Sequence, residues 1–216
     1  MSTFQDDERE DFAIELFKLE KDLTEGRSGV DAYLNYKGKR IPFELKSTSN
    51  GSVTTVRDFG YEHIKKWKDK HWLIGIYKNR NIDHFLYGSP KRMQPWIQEK
   101  EHYILPDFQI SKLVREKIEL KDLFKILGKK EKYLYSDARI LHKRQYSMSQ
   151  YMDSMDLKGG YSPERMLNIL KDRAEYLMER GSTLNNPHIP KSYFKDWVKI
   201  EKDHSKLLRE MVGREL

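Results

Sequence analysis

Asp31, Glu44 and Lys46 are the residues of this chain whose types and spacing can do chemistry together. Residues 30–36 (Val-Asp-Ala-Tyr-Leu-Asn-Tyr) alternate apolar and polar, and residues 39–48 (Lys-Arg-Ile-Pro-Phe-Glu-Leu-Lys-Ser-Thr) alternate again. A period of two marks half-buried strands. Lys37-Gly38 between them suits a two-residue turn, with Gly supplying positive φ. That turn sets Tyr36 opposite Lys39, Leu34 opposite Ile41, Ala32 opposite Phe43 and Asp31 opposite Glu44. One surface then carries Val30, Ala32, Leu34, Tyr36, Ile41, Phe43 and Leu45, an apolar face for a core. The other carries Asp31, Tyr33, Asn35, Arg40, Glu44 and Lys46. A slip of one residue would send both sets to the wrong side, so both faces support one register.

Opposed residues on paired strands have Cβ atoms roughly 4.5–5.5 Å apart. The register therefore aims two carboxylates at one spot, with Lys46 on the same face. Like charges there repel, and a divalent cation removes the penalty. Mg²⁺ takes carboxylate oxygens and keeps open positions for water and a phosphate. The main-chain carbonyl of Leu45 is a further available ligand. Lys46 is placed to orient or deprotonate the attacking water, or to stabilise charge on the phosphate. Together these groups describe metal-assisted phosphodiester hydrolysis. Asp, Glu and Lys also decorate solvated strands as plain ion pairs. What favours a site here is three of them converging from two strands.

Other elements must hold that hairpin. Residues 5–23 read as a helix with an apolar stripe at Phe12, Leu16, Leu19 and Leu23, closed by Gly26 and Gly29. Residues 53–56 suggest a short strand and residues 60–70 a short basic helix with Ile64 and Trp67 inward. Residues 72–77 and 82–87 read as buried strands. The order is αβββαββ, which predicts an α/β (α+β) fold, a mixed sheet flanked by helices. After Pro90 the texture changes. Residues 111–127 have a helical period ending at Gly128, and Gly159-Gly160 marks a break. Ser162-Pro163-Glu164 resembles a capped helix start with Pro at the first position, running to about Gly181. A last helix is expected at about 191–212. The chain thus divides into a core, 1–90, and a mainly helical elaboration, 91–216, packed on it as one unit.

Gly29-Val30-Asp31, followed thirteen positions after Asp31 by Glu44-Leu45-Lys46, resembles the signature of the PD-(D/E)XK nucleases. That superfamily includes type II restriction endonucleases, archaeal Holliday-junction resolvases and repair nucleases. Val30 stands where the motif has Pro, a position that varies widely in the family. The resemblance covers about residues 5–90 and does not extend to 91–216. It implies a restriction-endonuclease-like αβββαβ core and Mg²⁺-dependent cleavage through Asp31, Glu44 and Lys46. Metal would sit on Asp31, Glu44 and the Leu45 carbonyl. The family often adds a glutamate from the first helix. Glu8, one turn before Phe12, ranks first, and Glu8-Arg9-Glu10 resembles the helix start of the resolvases. Glu15, one turn before Leu19, ranks second. Either, like Glu10, equally suits an acidic solvated face.

The charge points to a polyanion. The 216 residues carry a net charge of +7, and the first 25 hold nine acidic against three basic side chains, which leaves a strongly basic remainder. Ser47, Thr48, Ser49, Asn50 and Ser52 follow the Lys46 strand, and small polar side chains with Gly51 allow close approach to phosphate. Arg57, Lys65 and Lys66, with His63 and Lys68, form the next basic cluster. In the family the helix after the catalytic strand commonly lies near DNA or a dimer partner. Arg139, Lys143, Arg144 and Gln145 are the candidates for base readout, since Arg reads guanine and Gln reads adenine.

Absences narrow the classes. Without cysteine there is no disulfide framework and no thiolate zinc site. The seven histidines are scattered without a His-x-x-x-His pair, and no phosphate-cradling Gly-x-x-x-x-Gly-Lys loop occurs, so no nucleotide cofactor is expected. The longest apolar run, residues 72–77, is far short of the roughly 20 residues of a membrane span. The acidic start lacks the apolar run of a secretory leader, and a cytoplasmic setting is expected. The leading expectation is a Mg²⁺-dependent type II restriction endonuclease acting on double-stranded DNA as a homodimer. The long basic C-terminal half, as sequence readout would need, favours that class. A structure-specific or repair nuclease, a non-catalytic DNA-binding protein and a basic RNA-binding factor are the alternatives.

Overall fold

The computed structural model describes residues 3–22, 24 and 29–216, with backbone alone at 3–6. The chain divides into one unit of Met1–Tyr103 with Leu184–Leu216, and a second of Ile104–Thr183. This division cuts across the expected boundary at residue 90, because the last segment returns to the first unit.

In the first unit, helix α1 (Thr3–Phe17) is followed by strands β1 (Ala32–Tyr36), β2 (Lys39–Thr48) and β3 (Val53–Thr54). Helix α2 (Tyr61–Trp67) and strands β4 (His71–Lys78) and β5 (Asn81–Gly88) come next. The expected order αβββαββ is therefore present over residues 3–88. Lys37 and Gly38 have φ of 48° and 77°, the two positive values that a tight hairpin turn requires. The register is the expected one: Ala32 opposes Phe43, Leu34 opposes Ile41 and Tyr36 opposes Lys39. β2 runs parallel to β4, with Glu44 beside Trp72 and Lys46 beside Ile74, and β5 returns antiparallel. The parallel crossover is carried by α2, as such connections require.

Alternation along β2 sorts the two faces of the sheet. Ile41, Phe43 and Leu45 join Ala32, Leu34, Leu73 and Phe85 in a core with Ala13 and Phe17 of α1. Phe17 meets Phe85 edge-on at 4.9 Å. Glu44 and Lys46 alternate onto the opposite face, toward α2, whose Trp67 packs edge-on against Trp72 at 5.0 Å.

Several boundaries differ from expectation. α1 ends at Phe17 because Lys18 takes a left-handed φ of 55° and the chain turns into a bridge between Glu20 and Tyr33. Its buried face is Ala13 and Phe17 rather than Phe12, which is 41% exposed. Leu23 and Gly26, invoked for that helix, lie outside the described residues. β3 leaves the main sheet and pairs with β6 (His188–Ile189). In place of a helix at 191–212 the chain forms a 3-10 turn (Lys191–Phe194), strand β7 (Val198–Ile200) and helix α8 (His204–Glu215). β7 pairs with β5 and completes a five-stranded mixed sheet ordered β1-β2-β4-β5-β7. Gly88 allows this: a Cβ there would lie 2.5 Å from the Trp197 ring.

Helix α3 (Pro90–Lys117) was expected only from residue 111. Proline at its first position needs no hydrogen-bonded N–H, so Pro90 opens it. Residues 90–103 count with the first unit. The second unit continues from 104 with α4 (Leu120–Leu127), α5 (Tyr135–His142), α6 (Met148–Asp153) and α7 (Pro163–Gly181). Its core gathers Leu123, Tyr133, Tyr151, Tyr161, Met166 and Ile169. The Ser162 hydroxyl caps α7 by accepting from the Arg165 N–H at 3.1 Å. Among the described residues no helix is long and apolar enough to cross a membrane.

Candidate functional site

The hairpin brings Asp31, Glu44 and Lys46 together. Asp31 lies just before β1, and its Oδ2 accepts from the Leu45 N–H at 2.8 Å, which fixes the carboxylate against β2. Lys46 Nζ lies 2.6 Å from Glu44 Oε1 and 3.4 Å from Asp31 Oδ2, and donates to the Leu45 carbonyl at 3.0 Å. Two carboxylates and one main-chain oxygen thus surround a single cation.

A second lysine, not singled out from the sequence, completes the cluster. Lys70 ends the segment between α2 and β4 and is 3% exposed. Its Nζ donates to Glu44 Oε2 at 2.6 Å. Glu44 is itself 3% exposed, so each of its oxygens is matched by one ammonium group. An unpaired charge at this depth would be strongly disfavoured. Position explains the pair: β2 alternates Glu44 onto the α2 side, and α2 delivers Lys70 there.

The electrostatics follow. Burial works to raise the Glu44 carboxyl, but Lys46 and Lys70 outweigh it and hold it below its usual value. Asp31 goes the other way: burial raises it, Lys46 only partly opposes this, and Glu44 adds repulsion. Burial works against the Lys46 charge, yet Asp31 and Glu44 prevail and raise its pKa.

On the first helix the structure separates the candidates. Glu8 and Glu15 are exposed. Glu10, earlier set aside as surface decoration, is half-buried and lines the same groove as Lys46. Burial raises its carboxyl, the Lys21 hydrogen bond at 3.0 Å lowers it, and Asp31 repels it. The reason is the rotated face of α1: with Ala13 against the sheet, Glu10 comes one turn above it, while Glu8 points away.

The groove itself, about 460 Å³, is lined by Arg9, Glu10, Lys46, Tyr77 and the polar loop after β2. Of that loop, Ser47, Thr48, Ser49, Asn50 and Ser52 all reach it. The Thr48 hydroxyl donates to the Ser52 carbonyl at 2.6 Å, and the Asn50 Oδ1 accepts from the Ser52 N–H at 3.1 Å, so the loop is internally braced. Arg57, Lys65 and Lys66 are exposed outside that lining, and Lys65 pairs with Glu62 at 2.9 Å. Arg139, Lys143, Arg144 and Gln145 belong to the second unit. There Lys143 and Arg144 take left-handed φ of 54° and 60° just after α5.

Among the described residues no three Asp, Glu or His side chains form a metal-binding group. The oxygen set available to a cation is Asp31, Glu44 and the Leu45 carbonyl, all hard donors of the kind Mg²⁺ takes. These oxygens already converge on a positive centre. No protein-family model matches the chain, and no curated protein matches it in sequence.

Proposed function

We propose that this chain is a Mg²⁺-dependent endonuclease of double-stranded DNA, of the sequence-specific type II restriction kind, acting as a homodimer. The observation that carries the reading is the convergence of Asp31 Oδ2, Glu44 Oε1 and the Leu45 carbonyl on the Lys46 ammonium. Three oxygens gathered on one cation are a donor set fitted to a hard metal ion. Asp31, Glu44 and the Leu45 carbonyl would hold it, and Glu10 replaces Glu8 as the first-helix candidate. When bound, Mg²⁺ supplies Lewis acidity at the phosphate oxygens and at the attacking water.

The chain's own residues have distinct tasks in this reading. Lys70 holds Glu44 through Oε2, which leaves Oε1 directed at the site. Lys46, with its side chain 19% exposed and on the rim of the groove, is the cation that moves to a phosphate oxygen or orients the water. The Leu45 N–H keeps Asp31 in place. The loop Ser47–Ser52 presents hydroxyl and amide groups to the backbone.

A second reading is favoured by one observation. Two ammonium groups balance two carboxylates, so the acids are compensated without a metal, as in a non-catalytic DNA-binding protein whose hairpin charges only stabilise the fold. Incubation with plasmid or phage DNA, with Mg²⁺ or EDTA, separates the readings on a gel. Discrete fragments only with Mg²⁺ are the expected result. A Mg²⁺-dependent smear would move the assignment to a repair or structure-specific nuclease. Retarded but intact DNA in both lanes, repeated on unmethylated DNA of other sequence, would overturn the nuclease reading in favour of binding.

A further inference from the structure

The groove beside Lys46 contains a cation that the scissile chemistry does not use. It opens at the C-terminal ends of the parallel strands β2 and β4, where α/β sheets commonly seat ligands. Arg9 of α1 reaches into it. The guanidinium carbon lies 4.2 Å from the centroid of the Tyr77 ring, and an Nη donates to the Ser47 hydroxyl at 3.3 Å. Among the described residues no carboxylate pairs with Arg9. Its neighbour Glu10, in the same groove, is tied to Lys21 at 3.0 Å.

The platform under Arg9 is built. Gly75 sits beside Ser47 in the parallel register, and a Cβ there would come within 2.9 Å of the Tyr77 ring. Glycine therefore lets the ring lie against the sheet and carry the guanidinium. A planar guanidinium stacked on an aromatic face keeps its in-plane N–H donors available for a second acceptor. One donor is used on a hydroxyl; the others suit the paired oxygens of a phosphodiester. Around it stand Ser49 and Asn50 from the loop, whose hydroxyl and amide N–H groups are donors of the kind that position a nucleic-acid backbone.

We propose that the part of this groove around Arg9, Tyr77 and Ser47 is a second phosphate seat, adjacent to the metal-binding cluster that Glu10 and Lys46 border, and that Arg9 anchors there the backbone phosphate neighbouring the one that is cut. The inference rests on the nuclease reading for the identity of the strand. Arg9 is a binding residue and takes no part in the bond cleavage.

The test is fluorescence anisotropy of a labelled DNA duplex in EDTA, over a series of salt concentrations, for the wild type and Arg9→Met. Loss of one phosphate contact raises the dissociation constant on the order of tenfold and lowers the slope of log affinity against log salt by about one. A variant that melts at lower temperature but keeps the wild-type slope and affinity would overturn the seat and leave Arg9 as packing. If Arg9→Met does not fold, Arg9→Lys carries the test. It retains the charge and the slope but loses the fork, so affinity falls several-fold; full wild-type affinity would overturn the proposal. The two claims fail separately. Mg²⁺-dependent cutting by the wild type with an unchanged slope in Arg9→Met removes the seat alone. A lowered slope without any cutting removes the nuclease reading and keeps an anion seat.

Discussion

In the first unit, Lys46 and Lys70 stand against Asp31 and Glu44 where β1, β2 and β4 meet α2. In the second, Arg115 of α3 stands against Asp172 and Glu175 of α7, with Asp172 at 2.9 Å. The Tyr146 hydroxyl donates to the same Asp172 at 2.6 Å, and burial first and then Asp172 push that phenol up to about 12. Both clusters join two acids to basic groups, yet they differ in depth and in access. The helical one is shallow: Arg115 is 36% exposed, and its fork is engaged by the acids of one neighbouring helix. Such a cluster braces packing. The strand cluster is deep at Glu44 and Lys70 but accessible at Lys46, and it includes a main-chain oxygen. One lysine is fixed and the other lies on the rim of a groove. The contrast separates an ionic brace from a candidate site better than residue types alone do.

The largest effect expected from this contrast is on stability. Glu44→Gln leaves the buried Lys70 charge uncompensated, which should cost about 3–5 kcal/mol in urea unfolding. Asp172→Asn, in the more exposed cluster, should cost about 1 kcal/mol. Equal losses would mean the two clusters are alike.

Acid should destabilise the first unit next. His71, buried beside Lys70 and hydrogen-bonded to the Tyr87 hydroxyl at 2.7 Å, is pushed down by burial from its ordinary 6.5 to about 4. Below pH 6.5 the unfolded chain takes up a proton that the folded chain resists. The His71 contribution to stability therefore falls between pH 6.5 and 4, by about 3 kcal/mol, and levels off below. Denaturation midpoints across that window check it; His71→Phe should flatten the curve. An unchanged curve in that variant would show the acid sensitivity lies elsewhere.

The smallest effect concerns the metal. Glu10→Gln should raise the Mg²⁺ needed for half-maximal cleavage by about tenfold, the usual scale for a peripheral metal partner. Glu8→Gln should leave it unchanged. The reverse result would restore Glu8 as the first-helix ligand.

Much of the site was legible because a hairpin is a local object. The turn at Lys37-Gly38 and the alternation on both sides fix a register, and the register alone brings Asp31 to Glu44 and Lys46. Lys70 was not legible. It reaches Glu44 across 26 positions from a helix-strand junction, where no periodicity marks a side chain as inward. The face of α1 was partly misplaced because Phe12 outweighs Ala13 in any apolar pattern, while close packing on the sheet prefers the small residue; Leu16 and Leu19 of the expected stripe do pack on the core. That rotation turned Glu10, rather than Glu8, toward the groove. β7 was hidden because Tyr193, Phe194 and Trp197 have helical spacing, and three residues of strand give too little alternation to oppose it. The first half of the long helix α3 went unexpected because only residues 111–127 show a clear helical period; the helix accommodates Pro95 and Pro106 within it.

Single-turnover cleavage of one DNA substrate with Mg²⁺, by the wild type, Asp31→Asn and Asp172→Asn side by side, tests the central claim most directly. Wild type and Asp172→Asn should cut at equal rates, and Asp31→Asn should be slower by about a thousandfold or more while still binding the DNA. Cutting by Asp31→Asn at the wild-type rate, or no Mg²⁺-dependent cutting by any of the three, would contradict it.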